Sequence, residues 1–170
     1  EGYTTLAGSN WTNAANTTIT LVTNESHNTS NDPSATKSMK VQFSGTFSAA
    51  AIYTYPESAD YSGTADKVLS LWYLCDEKTV SISVTLTDTS SQEATVLLNT
   101  SSSPVPLIRS GSWENMNTRL TDFTSVNPLL DLGLIKTLTI TIVNNLASGQ
   151  SGVISFDDIE LCDSRCLPKW

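Results

Sequence analysis

The sequence predicts an all-β fold, a β-sandwich jelly roll of two antiparallel sheets, and three observations carry that prediction. Apolar and polar residues alternate with period two along most of the 170-residue chain, whereas apolar residues at helical spacing persist for no more than a turn or two. The alternating runs are short and are separated by turn formers such as Asn31-Asp32-Pro33, Ser58-Ala59-Asp60, Ser101-Ser102-Ser103-Pro104 and Ala147-Ser148-Gly149-Gln150. In the clearest runs one face is aliphatic and the other hydroxylic. Each sheet then has one buried and one wet face, which two sheets packed face to face satisfy directly.

The strands follow in order. Thr17–Thr23 is a β-branched, threonine-rich run, and in Ser38–Phe47 Val41 and Phe43 oppose an outward Gln42. Ala50–Tyr55 places Tyr53 and Tyr55 on one face against Ile52 and Thr54; with Ile52 in the core, both tyrosines face outward, and Tyr61 follows in the next loop. Val68–Cys75 holds Leu69-Ser70-Leu71-Trp72-Tyr73, in which Trp72 serves either as an inter-sheet filler or on a binding surface. Val80–Asp88 sets Ile82, Val84 and Leu86 against Ser81, Ser83, Thr85 and Thr87. After a short strand at Ala94–Asn99, Glu114–Leu120 directs Met116, Thr118 and Leu120 inward and Arg119 outward, with Trp113 sealing the sandwich edge. Ser125–Lys136 is expected to hold one helical turn. Thr137–Val143 opposes Leu138, Ile140 and Ile142 to three threonines, and Val153–Leu161 closes the sandwich.

That closing strand poses an electrostatic question. Asp157 and Asp158 sit inside an apolar run, Val153-Ile154-Ser155-Phe156 before them and Ile159-Glu160-Leu161 after. Strict alternation turns one aspartate inward, where an ionised carboxylate needs a cation or several donors. A calcium ion, taking six to eight oxygen ligands, answers that need; solvated acids on an edge strand, or an aspartate bonded to a loop, answer it equally well.

Composition excludes several functions. A formal net charge of −8 argues against nucleic acid, whose phosphates demand Lys and Arg. No apolar stretch approaches a membrane span, so membrane insertion is not expected. The low charge and abundance of Thr, Ser and Asn suit a secreted, extracellular protein, and Glu1 suits a processed or trimmed segment. Five Asn-X-Ser/Thr sequons, at Asn10, Asn16, Asn24, Asn28 and Asn99, permit glycosylation. Three cysteines leave at least one unpaired within the chain: Cys162 and Cys166 enclose a short loop, and Cys75 is an alternative partner for either. With His27 the lone histidine, neither a zinc site nor a Ser-His-Asp arrangement is expected, and no carboxylate pair is marked for glycoside hydrolysis.

Three segments, taken in order, resemble the β-jelly-roll carbohydrate-binding modules of the calcium-containing, galactose-binding-like superfamily. They are Ala65–Tyr73 with Val80–Asp88, Gly111-Ser112-Trp113 through Leu120-Thr121-Asp122-Phe123, and Phe156-Asp157-Asp158-Ile159-Glu160-Leu161. The resemblance spans roughly Ser38 to Leu161. It implies a noncatalytic module over residues 1–166, with residues 167–170 beginning a linker or ending the expressed segment. It also implies a structural calcium ion held by Asp157 or Asp158, and a place in a larger multimodular protein that the module targets to a β-glucan, xylan or mannan type of polysaccharide. The polar Asn10–Asn31 region departs from the family's Asn-Phe-Glu opening. Facing and composition put Tyr53, Tyr55, Tyr61, Trp72, Arg119 and Gln42 forward as sugar-binding residues. An adhesion or structural sandwich domain of a surface protein is the alternative, and a small jelly-roll lyase or hydrolase a third.

Overall fold

Ile82, Val84 and Leu86 on one strand and Leu138, Ile140 and Ile142 on its neighbour are completely buried, so the alternation read from the sequence does mark the core. A computed structural model of the chain describes residues 11–13, 17–23, 37–44, 49–63, 67–75, 80–98, 113–144 and 151–163. The asparagines of the five sequons, His27, Cys166 and the terminal tail lie outside these residues.

Ten strands form two five-stranded antiparallel sheets: β1 (Trp11–Asn13), β2 (Thr17–Thr23), β3 (Lys37–Ser44), β4 (Ala49–Ala59), β5 (Lys67–Cys75), β6 (Val80–Asp88), β7 (Glu93–Leu97), β8 (Glu114–Arg119), β9 (Ile135–Asn144) and β10 (Ser151–Asp163). The first sheet runs β1-β4-β9-β6-β7 and the second β2-β3-β10-β5-β8. Their inner faces interdigitate, with Leu138, Ile140 and Val84 on one side and Val41, Leu71, Ile154 and Phe156 on the other. The predicted jelly-roll sandwich is thus the observed architecture, with β1 as an additional edge strand.

The helical turn expected within Ser125–Lys136 is a 3-10 turn at Leu132–Leu134, and a separate helix α1 (Leu120–Val126) takes over where β8 was expected to end. Asp122 causes the switch: its Oδ2 accepts from the Arg119 N–H at 3.1 Å and from Thr118 Oγ1 at 3.2 Å, capping the helix and drawing Leu120 and Phe123 into the core. Pro56, which lacks an N–H, falls where β4–β9 pairing is interrupted between Thr54 and Ala59, so no ladder bond is lost. The β6–β7 hairpin turns around Asp88, a buried carboxylate accepting backbone N–H bonds from Ser90, Gln92 and Asp131 at 2.8, 2.9 and 3.0 Å. Those amides, Asp131 foremost, hold the Asp88 carboxyl below the usual aspartate range.

The backbone register also narrows the disulfide alternatives. Cys75 stands beside Ile154 and Cys162 beside Val68, so their Cα atoms lie some seven residues apart along β5, about 23 Å. A bridge needs less than about 7 Å, which removes the Cys75–Cys162 pairing. Among the described residues no helix is long and apolar enough to cross a membrane.

Candidate functional site

Strand facing divides the expected sugar-binding residues into two groups. Tyr53, Tyr55 and Tyr61 are 5, 6 and 6% exposed and face the interior, which corrects the outward orientation expected of the first two. On β4 the partly exposed member is Ile52, and Thr54 is exposed beside Thr137. The reason lies in size and neighbours. A tyrosine buries more apolar surface than an isoleucine, and Tyr53 packs edge-on against Trp11 at 5.3 Å and against Tyr55 at 4.9 Å. The polar cost is met internally, because the Tyr55 and Tyr61 hydroxyls hydrogen-bond each other. Burial pushes the Tyr61 phenol up to about 12 and raises Tyr55 as well. This aromatic ladder belongs to the core and is closed to a stacking sugar.

Trp72, Gln42, Arg119 and Asp157 instead converge on one outer face, that of the sheet β2-β3-β10-β5-β8. Leu69, Leu71 and Tyr73 of β5 are buried in the core, which turns Ser70, Trp72 and Leu74 to the opposite face. Cross-strand register then sets the rows. Asp157, Trp72 and Asn115 stand side by side; Ser70 is beside Asn117; Val68 is beside Arg119; Lys40, Ser155 and Leu74 form another row; and Gln42 pairs with Val153. Neighbouring strands lie ~4.8 Å apart and same-face residues ~6.6 Å apart along a strand. Gln42 and Arg119 therefore mark opposite corners, about 26 Å apart along the strand direction, with the half-buried Trp72 between them.

The small residues at the centre of this face are little exposed. Ser155 and Ser70 point away from the core yet are only 2 and 5% exposed, while the larger Lys40, Leu74 and Trp72 around them stay half-exposed. Along β8 the polar groups are tied together: Asn115 Nδ2 donates to Ser70 Oγ at 2.9 Å, and Asn117 Nδ2 donates to Asn115 Oδ1 at 2.6 Å. The result is an indole platform flanked by amide, hydroxyl and carboxylate groups, with an exposed guanidinium and an exposed amide at the corners. Such an arrangement can stack on the apolar face of a pyranose ring while bonding its hydroxyls. The outer face of the other sheet is different in kind. Its described residues are mostly hydroxylic, with Thr85 and Thr95 bonded to each other at 2.8 Å and Ile52 and Leu97 as apolar members, and they offer no ring to stack on.

Asn115 and Asn117 were not singled out from the sequence. Asparagine is depleted in strands, so two at alternate positions of Glu114-Asn-Met-Asn-Thr-Arg119 was the available signal.

The closing strand carries a bulge that begins at Asp157. From Asp157 to Glu160, β10 uses three steps where β5 uses two, from Trp72 to Ser70. The inward series Ile154, Phe156 resumes at Ile159, and Asp157 stands half-buried on the outer face beside Trp72. Among the described residues no three His, Cys, Asp or Glu side chains come together within reach of one metal ion.

No protein-family model matches the chain, and no curated protein matches it in sequence. Solved structures match it in fold. A family 11 carbohydrate-binding module of the cellulosomal cellulase Lic26A-Cel5E from Clostridium thermocellum is 16% identical, with a TM-score of 0.61 over 95% of both chains. A family 30 carbohydrate-binding module is 12% identical, with a TM-score of 0.66 over 94% of both. An exo-beta-agarase is 13% identical, with a TM-score of 0.68 over 92% of this chain. The chain spans about a quarter of the length of that agarase and of a second one, 23% and 24%, but nearly the whole of the two modules. The β-jelly-roll expected from the sequence is therefore the fold of solved carbohydrate-binding modules.

Proposed function

We propose that the chain is a noncatalytic carbohydrate-binding module that holds a single neutral polysaccharide chain of β-glucan, xylan or mannan type on the outer face of β2-β3-β10-β5-β8. The observation that carries this reading is the position of Trp72, half-buried on the outer face in one row with Asp157 and Asn115. The likeness to family 11 and family 30 modules over nearly their whole length supports it. A net charge of −8 disfavours polyanionic glycans. In this reading Gln42 and Arg119 are peripheral hydrogen-bonding groups, the chain is a secreted module, and it carries an attached enzyme or surface protein to its polysaccharide. A structural calcium ion at Asp157 or Asp158 belongs to the same reading, on the resemblance of the closing strand.

Affinity electrophoresis against soluble β-glucans, xylans and mannans is the test. Retardation by at least one of them is expected, and Trp72→Ala is expected to abolish it without lowering the melting temperature by more than a few degrees. Failure of every polysaccharide to retard the protein, or full retardation of the variant, would sink the proposal; release of reducing sugar would point to an enzyme instead.

A further inference from the structure

The amides of β8 are held in one orientation by the backbone. The Leu71 carbonyl can only accept, and Asn115 Nδ2 donates to it at 3.3 Å as well as to Ser70 Oγ. Asn115 Oδ1 must then lie on the other side, where it accepts from Asn117 Nδ2. Flipping Asn115 would set its oxygen against the Leu71 carbonyl oxygen, and flipping Asn117 would set oxygen against oxygen. One backbone acceptor thus fixes the direction of both side chains. Asn117 is exposed on the row next to that of Trp72, a diagonal cross-strand neighbour with Cβ ~7 Å away. It presents outward Oδ1 and the remaining hydrogen of Nδ2, an acceptor and a donor in one plane and in a set order.

We infer that Asn117 is the specificity-determining residue of the sugar site, reading two adjacent equatorial hydroxyls of a ring stacked on Trp72, with Asn115 as its positioning residue. The inference rests on the sugar-binding reading above and narrows it. One hydroxyl donates to Oδ1 while the other accepts from Nδ2. Adjacent equatorial hydroxyls lie close to the mean plane of a pyranose ring and match the flat carboxamide. An axial hydroxyl leaves that plane and stands against the stacking face. The ligand class is accordingly a gluco- or xylo-configured chain with its second and third hydroxyls free, in preference to a manno-configured one whose second hydroxyl is axial.

Isothermal titration with cellohexaose, xylohexaose and mannohexaose tests this. The wild type is expected to bind the gluco- or xylo-hexaose about tenfold more tightly than mannohexaose, the worth of one or two net hydrogen bonds. Asn117→Ala should remove about that tenfold and leave mannohexaose affinity unchanged, erasing the preference. Asn115→Ala, which frees Asn117 to turn, should erase part of it, a change in ratio that general loss of structure would not produce. Thermal melts confirm that both variants fold. Equal losses for all three sugars, no loss in Asn117→Ala, or a wild-type preference for mannohexaose overturns the inference while leaving sugar binding standing. Absence of binding to any hexaose or polysaccharide overturns the sugar-binding reading itself, and this inference with it.

Discussion

Substituting Tyr55 and Tyr61 by phenylalanine, singly and together, tests the inward aromatic ladder. Each hydroxyl is the other's partner inside the core, where both rings are only 6% exposed. Tyr55→Phe keeps the ring and strands the Tyr61 hydroxyl without a bond, at a cost of about 1.5 kcal/mol; Tyr61→Phe does the reverse at similar cost. Removing both hydroxyls leaves no orphan, so the double variant should lose only about 0.5–1 kcal/mol, and the coupling between the sites should be roughly 2 kcal/mol. For a domain of this size each single change lowers the melting temperature by about 3–6 °C. Equilibrium urea unfolding at constant m-value is the assay. Strictly additive losses would refute the shared bond, and losses near zero in all three variants would refute the burial. Alkaline pH gives a second handle. Unfolded tyrosine ionises near pH 10, whereas burial pushes Tyr61 up to about 12 and raises Tyr55 too. The pair's contribution is therefore complete below about pH 10 and fades as pH climbs through about 12, and it should vanish from the double variant.

Four further expectations follow from the turns and the closing strand. Asp88→Ala leaves three backbone amides of the β6–β7 turn unpaired and should cost about 3 kcal/mol in urea unfolding; a loss below about 1 kcal/mol would show that water replaces the carboxylate. Because the Asp88 pKa is lowered, its contribution is complete above the ordinary aspartate value of about 3.9 and is lost as pH falls through the lowered value, so acid unfolding should be less steep in Asp88→Asn. Ser91 adopts φ 65°, which glycine accepts without strain, and Ser91→Gly should raise stability by up to about 1 kcal/mol; a decrease would indicate that the side chain matters more than the backbone. A chelator should lower the melting temperature if calcium bridges the Asp157-Asp158 strand, since a ligand of the native state stabilises it, and an unchanged value would remove calcium from the reading.

How much was legible depends on which force set the choice at each position. In β6 over Ile82–Thr87 and in β9 over Thr137–Ile142 aliphatic residues alternate with hydroxyls, and period two was sufficient to name the core face. In Ile52-Tyr53-Thr54-Tyr55 both faces carry apolar bulk, and the decision fell to cross-strand neighbours invisible along the chain: Leu138 beside Tyr53 on the inside, and Thr137 beside Thr54 on the outside. Gln42 and Arg119 could be turned outward from parity alone. That β3, β10, β5 and β8 share a sheet, so that these residues frame Trp72, is a property of topology and not of any local run. The bulge at Asp157 defeated strict alternation for a related reason: one extra residue shifts every later side chain to the other face.

The sheet that carries the proposed site has a timing built into it. Its central strand is β10, flanked by β3 and β5. A ribosome must deliver residues 151–163 before the two halves of this face can be joined, since until then β2-β3 and β5-β8 are separate ribbons with open edges. Closing pairs such as Met39 with Phe156, far apart in sequence, places the protein among slow, topologically demanding folders. Trp72 consequently waits with its row incomplete until residues 151–163 are made, and the proposed glycan surface exists only once β10 has slid into the gap.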